Sequence, residues 1–192
     1  SSSIPGMNSK LKQATLGDDF QRLLNNRDES SDVTIIVKNK RIPAHKVLLA
    51  ARSPVFAAMF KHKELKENRT NCVKIYDMKP EIAEAILEFI YTDEVTILDA
   101  IADQLIAPAH KYQLTRLITM CELALCRILN PKNFGDIVEL AELYGSAEFK
   151  NHIGRYVANY IREQLKTDNN AQSLDPELLE KVSSLLKTEQ KK

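Results

Sequence analysis

Glycine is scarce in this chain, with 5 residues in 192, and tryptophan is absent. No G-x-G-x-x-G or G-x-x-x-x-G-K loop occurs, so the usual backbone cradles for phosphate are missing. Cysteine is also rare. Cys72, Cys121 and Cys126 form an odd set, each inside an apolar periodic segment. With no secretory signal, that usage points to a reduced, intracellular compartment, in the nucleus, the cytoplasm or both. Cys121 and Cys126 are five residues apart, which on a helix turns them about 140° from each other, so they are not a ligand pair and read as small core residues. None of the four histidines, His45, His62, His110 and His152, belongs to an H-E-x-x-H motif. His45 sits in an apolar run with no serine, cysteine or carboxylate at a defined spacing, so it reads as a buried structural histidine rather than a general base. Without a constellation, neither enzyme nor cofactor nor metal site is expected. A large excess of one charge is lacking too. Lys plus Arg number 27 against 26 Asp plus Glu, a net charge of +1. No global field draws the chain to nucleic acid or to anionic membrane. No apolar run approaches the ~20 residues that span a bilayer.

What is present is helical periodicity around a little sheet. Hydrophobic residues make up 44% of the chain, enough for one good core or two small ones. The spacing predicts a helix over Leu11–Asn25, with Leu16, Phe20, Leu23 and Leu24 as one apolar stripe. Val33–Val37 is β-branched throughout and predicts a strand, with a short return over Arg41–Pro43. The run Ala44–Phe60 reads as two short helices broken at Ser53-Pro54, where serine caps and proline suits the first helical position. Val47, Leu48 and Ala51 make an apolar face before the break; Val55, Phe56, Met59 and Phe60 make one after it. A run so apolar is expected to be buried. Lys61–Asn71 is charged and solvated. Cys72–Tyr76 alternates as a third strand with one wet face.

Pro80 opens a helix, and Val95–Ile97 predicts a short edge strand. Asp99–Tyr112 is helical, with Pro108 expected to kink or break it. Thr115–Leu129 has the strongest helical pattern. Asn130-Pro131 reads as the cap and first position of the next helix, and Gly145 suits the left-handed position that ends it. Ser146 caps a helix carrying Phe149, Ile153, Tyr156, Val157, Tyr160 and Ile161. A polar linker follows from Thr167, and Asp175-Pro176 caps a last amphipathic helix. A soft boundary falls near Asn130, with an α+β unit before it and helices alone after it.

The residues Asp32-Val33, Lys40, Ala44-His45-Lys46, Leu49-Ala50, Ser53 and Phe56 together resemble the BTB/POZ signature. Tyr91-Thr92, Ala109-x-Lys111-Tyr112-x-Leu114-x-x-Leu117 and Cys121-Glu122 extend the likeness. The wording around Leu49–Phe60 is similar to the speckle-type POZ (MATH-BTB) group, although Asp93, Pro108 and His110 depart from its pattern. The resemblance implies an α+β fold, a small sheet flanked by helical hairpins, followed by an all-α 3-box/BACK-like extension. The expected divisions are 1–10 as a linker or leader, 11–129 as the BTB/POZ domain, 130–167 as 3-box and partial BACK helices, and 168–192 as linker and terminal helix.

The same resemblance implies a non-catalytic, homodimeric adaptor, able to build higher oligomers, that brings protein substrates to a cullin-3 ubiquitin ligase. It implies cullin contact at Leu65, Glu67, Tyr76 and Tyr144, with Phe134 and Ile137 nearby reading as core. It implies a dimer interface at Leu16, Phe20, Leu23 and Leu48, with Asp32 and Lys46 at a charged pocket beside it. Tyr160 matches an aromatic position of a second self-association surface. No substrate-reading MATH domain lies in these residues, so the chain is expected to be a fragment whose substrate domain preceded Met7. The rival expectation is the self-association domain of a transcriptional regulator that recruits corepressors; no zinc fingers or basic segment accompany it here. A potassium-channel-type tetramerisation domain lacks the Ala44-His45-Lys46 pattern.

Overall fold

Val33–Val37 forms β1, as five successive β-branched residues favour. It is the centre of a three-stranded sheet in a computed structural model that describes residues 14–61, 69–167 and 176–187. β2, Lys40–Ala44, pairs with β1 antiparallel, with Ile35 opposite Ile42. β3, Cys72–Ile75, lies on the other side and runs parallel to β1, with Ile35 opposite Val73. Alternation sends Val33, Ile35 and Val37 to one buried face, joined there by Val73 and Ile75. By contact the chain divides into two units, residues 1–96 and 97–192.

In the first unit, α1 is Leu16–Asn25. The expected helix over Leu11–Asn25 is corrected at its start, because Thr15 is extended and caps the helix. Its side chain accepts from the Asp18 N–H, and the Asp18 carboxylate accepts from the Thr15 N–H at 2.7 Å, a reciprocal capping box. Residues 11–13 lie outside the described residues. α2, Lys46–Arg52, and α3, Pro54–Lys61, form the expected pair, and Ser53 Oγ accepts from the Phe56 N–H at 3.3 Å. The expected burial of the pair is corrected in part. α2 buries Leu49, whereas Val47 is 71% exposed, Ala51 is exposed and Leu48 is half-buried. α4, Pro80–Thr92, is the core helix of this unit and packs against α1, α2 and β2. It buries Ile82, Ala83, Ala85, Ile86, Leu87, Phe89, Ile90 and Tyr91, nearly all of its circumference.

α4 ends on Asp93 in the left-handed conformation, φ 64°, a place glycine usually takes and aspartate tolerates. Arg52 reaches over the Phe89 ring and pairs with the Asp93 carboxylate. The edge strand expected at Val95–Ile97 is not formed. That segment is a turn, since the Thr96 N–H donates to Glu88 at 3.1 Å and the Thr96 hydroxyl bonds the same carboxylate. A side chain takes the place of a ladder partner there.

The second unit is helical. α5, Leu98–Lys111, continues through Pro108 as one helix, so of the expected kink or break the break does not occur, and it packs along α6, Thr115–Ile128. The helix expected from Asn130-Pro131 begins later, as α7, Phe134–Tyr144. Asn130 and Asn133 explain the delay. Asn130 Oδ1 accepts from the Lys132 N–H, Asn133 Oδ1 accepts from the Asn130 N–H, and both amides donate to the Ile128 carbonyl. These asparagines hold the chain in a turn. Gly145 is extended, φ −75°, not left-handed. Glycine is required for space instead, because a Cβ would stand 2.5 Å from the Ala141 carbonyl oxygen and 2.9 Å from the Phe149 ring. α8, Ala147–Thr167, follows, and Ser146 Oγ accepts from the Phe149 N–H at 3.2 Å. α9, Pro176–Lys187, packs on both α7 and α8. The expected cap Asp175 and most of the expected linker lie outside the described residues.

Candidate interaction surfaces

The expected dimer residues lie on α1, the start of β1 and α2. Leu16 is 71% exposed, Phe20 and Leu23 are half-buried, and Leu24 is buried beneath them where α1 meets α4. The stripe is therefore split: its Leu24 edge serves the domain's own core, and its Leu16 edge faces water. Leu48 is half-buried, and Val47 beside it, which the pattern grouped with the core, is an exposed apolar residue. Asp32 Oδ1 accepts from the Lys46 N–H at 2.8 Å, so the carboxylate caps α2 from the strand before it. The Lys46 ammonium donates to Asn71 Oδ1 at 2.6 Å and lies 5.5 Å from the centre of the Phe60 ring. Asp32 and Lys46 are thus brought together through backbone and side chain around the hairpin entrance.

His45 is buried and fully engaged. Its Nε2 is 2.8 Å from Ser30 Oγ, its Nδ1 is 2.6 Å from Tyr91 Oη, and its backbone N–H donates to the same hydroxyl at 3.1 Å. Burial pushes the Tyr91 hydroxyl above its ordinary value, against the backbone hydrogen bond from His45, which lowers it. The histidine joins β2, α4 and the turn after α1, the structural task read from its surroundings. Tyr91, its partner 46 residues away, carried no local signal for this role.

The charged connection from α3 to β3 contains Leu65 and Glu67, both outside the described residues. Tyr76, immediately after β3, is 83% exposed, with the whole ring available to a partner. An exposed tyrosine presents a large apolar face and a hydroxyl at little entropic cost.

In the second unit Tyr144 is half-buried at the end of α7, its ring 5.7 Å from that of His110. Tyr160 is half-buried on α8, its ring 5.7 Å from Phe134, while Ile137 is core at 2% exposure. The residue that sequence reasoning missed here is Glu122. It is only 8% exposed on α6, and its carboxylate accepts from the Ser146 N–H at 2.6 Å and the Ser146 hydroxyl at 2.9 Å. It orients the cap of α8 from another helix. Cys121 beside it is fully buried, and burial, with the Glu122 charge second, pushes its thiol up to about 12. Among the described residues no group of three or more His, Cys, Asp or Glu side chains could hold a metal ion, and no helix is long and apolar enough to cross a membrane.

The family model for the BTB/POZ domain matches residues 20–129. Among solved structures, the chain is similar to the BTB domain of zebrafish PATZ1, at 20% identity and a TM-score of 0.49, covering 66% of this chain and 99% of that one. It is also similar to the BTB (Tramtrack and Bric a brac) domain of human Gigaxonin, at 20% identity and a TM-score of 0.47, covering 67% of this chain and 96% of that one. BTB domains are, in general, non-catalytic modules for protein–protein interaction. With its small mixed sheet, the α2–α3 hairpin entered through Asp32 and His45, and a family match across 110 consecutive residues, the chain belongs to the BTB/POZ family.

Proposed function

We propose that this chain is the dimeric, cullin-3-binding half of a substrate adaptor for a ubiquitin ligase, acting in the nucleus or cytoplasm on substrates recognised elsewhere. The observation that supports it most is Tyr76, 83% exposed immediately after β3, the strand that follows the connection carrying Leu65 and Glu67. A leucine and a carboxylate in that connection, together with the exposed tyrosine, supply the chemistry of a hot spot: an apolar anchor, an ionic partner and an amphipathic ring. Tyr144 is the further contact from the extension. The adaptor itself makes and breaks no bonds; it supplies proximity, and a dimer adds avidity.

The dimer is proposed to close through α1 and α2, where Leu16 and Val47 are exposed and Phe20, Leu23 and Leu48 are half-buried. Asp32 and Lys46 flank that seam, and Tyr160 belongs to a second self-association surface. Calorimetric titration with the cullin-3 N-terminal domain tests the central reading. The parent chain is expected to bind, and Leu65→Ala with Glu67→Ala to lose most of that binding. Undiminished binding by the double variant removes the loop assignment, and a parent chain that does not bind removes the adaptor role.

A further inference from the structure

Glu122 carries more than the cap of α8. Its carboxylate is 8% exposed, and it accepts from the Ser146 N–H at 2.6 Å through one oxygen and from the Ser146 hydroxyl at 2.9 Å through the other. Both donors are neutral. Among the described residues no lysine, arginine or histidine pairs with this carboxylate. A carboxylate drawn out of water is costly unless a cation or a full set of hydrogen bonds compensates it. A carboxylate has about four acceptor sites, so each oxygen keeps a lone pair beyond the Ser146 bonds. The charge acts on its surroundings. Burial first, and Glu122 second, push the Cys126 thiol above its ordinary value. A thiol held in that form is a poor nucleophile, so covalent capture is not the use of this place.

The carboxylate is not sealed in. It lines an open groove of about 450 Å³ between α6 and α8, a volume usual for binding sites. Leu123 of α6, 56% exposed, stands in the same groove and offers an apolar rest without a partner in its own unit. The charged lining is Glu122 and Glu148, with His152 beside them. Past Glu148 and His152 the groove continues into a second hollow of about 480 Å³ that reaches Asn159. From Ser146 to Asn159 a helix rises about 20 Å, which matches about six residues of extended chain. That length suits a peptide segment rather than a compact small molecule.

We infer that the groove between α6 and α8 is a docking site for an extended segment of a partner protein that delivers an arginine side chain to Glu122 and an apolar neighbour of that arginine to Leu123. A guanidinium suits the site better than an ammonium. Its planar fork meets both carboxylate oxygens at once, and it gives up its water more readily. None of the lining residues belongs to the α1–α2 seam or to the residues proposed for cullin-3 contact, so the site stands or falls independently of them.

The test varies the ligand on the unchanged full chain. The probe is a synthetic tripeptide, leucine–arginine–leucine, blocked at both ends, titrated while amide resonances are followed by nuclear magnetic resonance. Saturable shifts are expected at Glu122, Leu123 and Ser146. The same peptide with citrulline, which keeps the fork and loses the charge, should bind about tenfold or more weakly. Glu122→Gln should bring the arginine peptide to the citrulline level, and Leu123→Ala should weaken it several-fold. Agmatine, a free guanidinium compound, should bind more weakly than the peptide and be indifferent to Leu123→Ala. Absence of saturable shifts overturns the site. Equal binding of the citrulline peptide, or undiminished binding by Glu122→Gln, overturns the arginine–carboxylate contact. Agmatine binding as tightly as the peptide overturns the partner segment in favour of a small free cation.

Discussion

Glu122 shows how much one side chain can decide. Its carboxylate receives both the N–H and the hydroxyl of Ser146, in a site with little water. Glu122→Ala strands both donors, and a buried unsatisfied group costs about 1–3 kcal/mol. Urea unfolding should therefore show a fall of that size, with Glu122→Gln intermediate. Asp18 offers a pH signature. Its hydrogen bonds to the Thr15 backbone, and then to the Thr15 hydroxyl, hold its carboxyl below the ordinary 3.8. A depressed folded value means that the stabilisation is complete above the unfolded value and is lost as pH falls through the folded one. Amide protection at the first turn of α1, taken relative to the intrinsic exchange rate at each pH, should fall on acidification below 3.8, and Asp18→Asn should remove that dependence. Cys121, with its thiol pushed up to about 12 by burial, should resist alkylation at mildly alkaline pH until urea unfolds the chain, as followed by mass spectrometry. None of these three roles was legible in full. Asp18 sits three residues after Thr15 and had a local signal, but Glu122 and Ser146 are 24 residues apart, and only folding makes them neighbours.

At the scale of the element, periodicity located the helices and strands better than it located their ends. β1, α3, α4 and α6 follow directly from apolar spacing and from proline at a first position. The misjudged places are those where a side chain competes with the backbone. Glu88 satisfies Thr96 and so prevents a strand; two asparagines hold Asn130–Asn133 in a turn and delay α7. Gly145 carries the same lesson for glycine, which here relieves crowding rather than a left-handed φ. Gly145→Ala should destabilise the chain by about 1–3 kcal/mol, the usual cost of overpacking, as measured by thermal or urea unfolding. Had the backbone been left-handed, alanine would have been costly for a different reason; at φ −75° the penalty is wholly steric. The α2 helix shows the opposite kind of surprise. The spacing marked Val47, Leu48 and Ala51 as its apolar face, but the side that turns inward is Leu49, and Val47 is exposed.

For the whole molecule, the α1–α2 dimer seam and the cullin-3 contact are proposed on different residues, and they should respond to separate changes. Leu16→Asp with Leu23→Asp should convert the α1–α2 dimer to monomer in sedimentation while leaving the helical content unchanged. A double variant that remains dimeric removes that seam. Tyr76→Ala should leave unfolding within about 0.5 kcal/mol of the parent, as expected for an exposed side chain with no structural duty, while weakening cullin-3 binding. What the sequence by itself determined is the family signature, the order of most elements, and the absence of any phosphate loop or catalytic spacing. Those rest on composition and on short-range periodicity, which the linear chain carries openly. What only the tertiary structure decided is which apolar faces are spent internally and which remain: Leu24 and Leu49 inward, Leu16, Val47 and Tyr76 outward, and α9 on α7 and α8. The physical reason is that burial belongs to pairs of elements distant in sequence, so a face is core or interface only once its neighbour is in place.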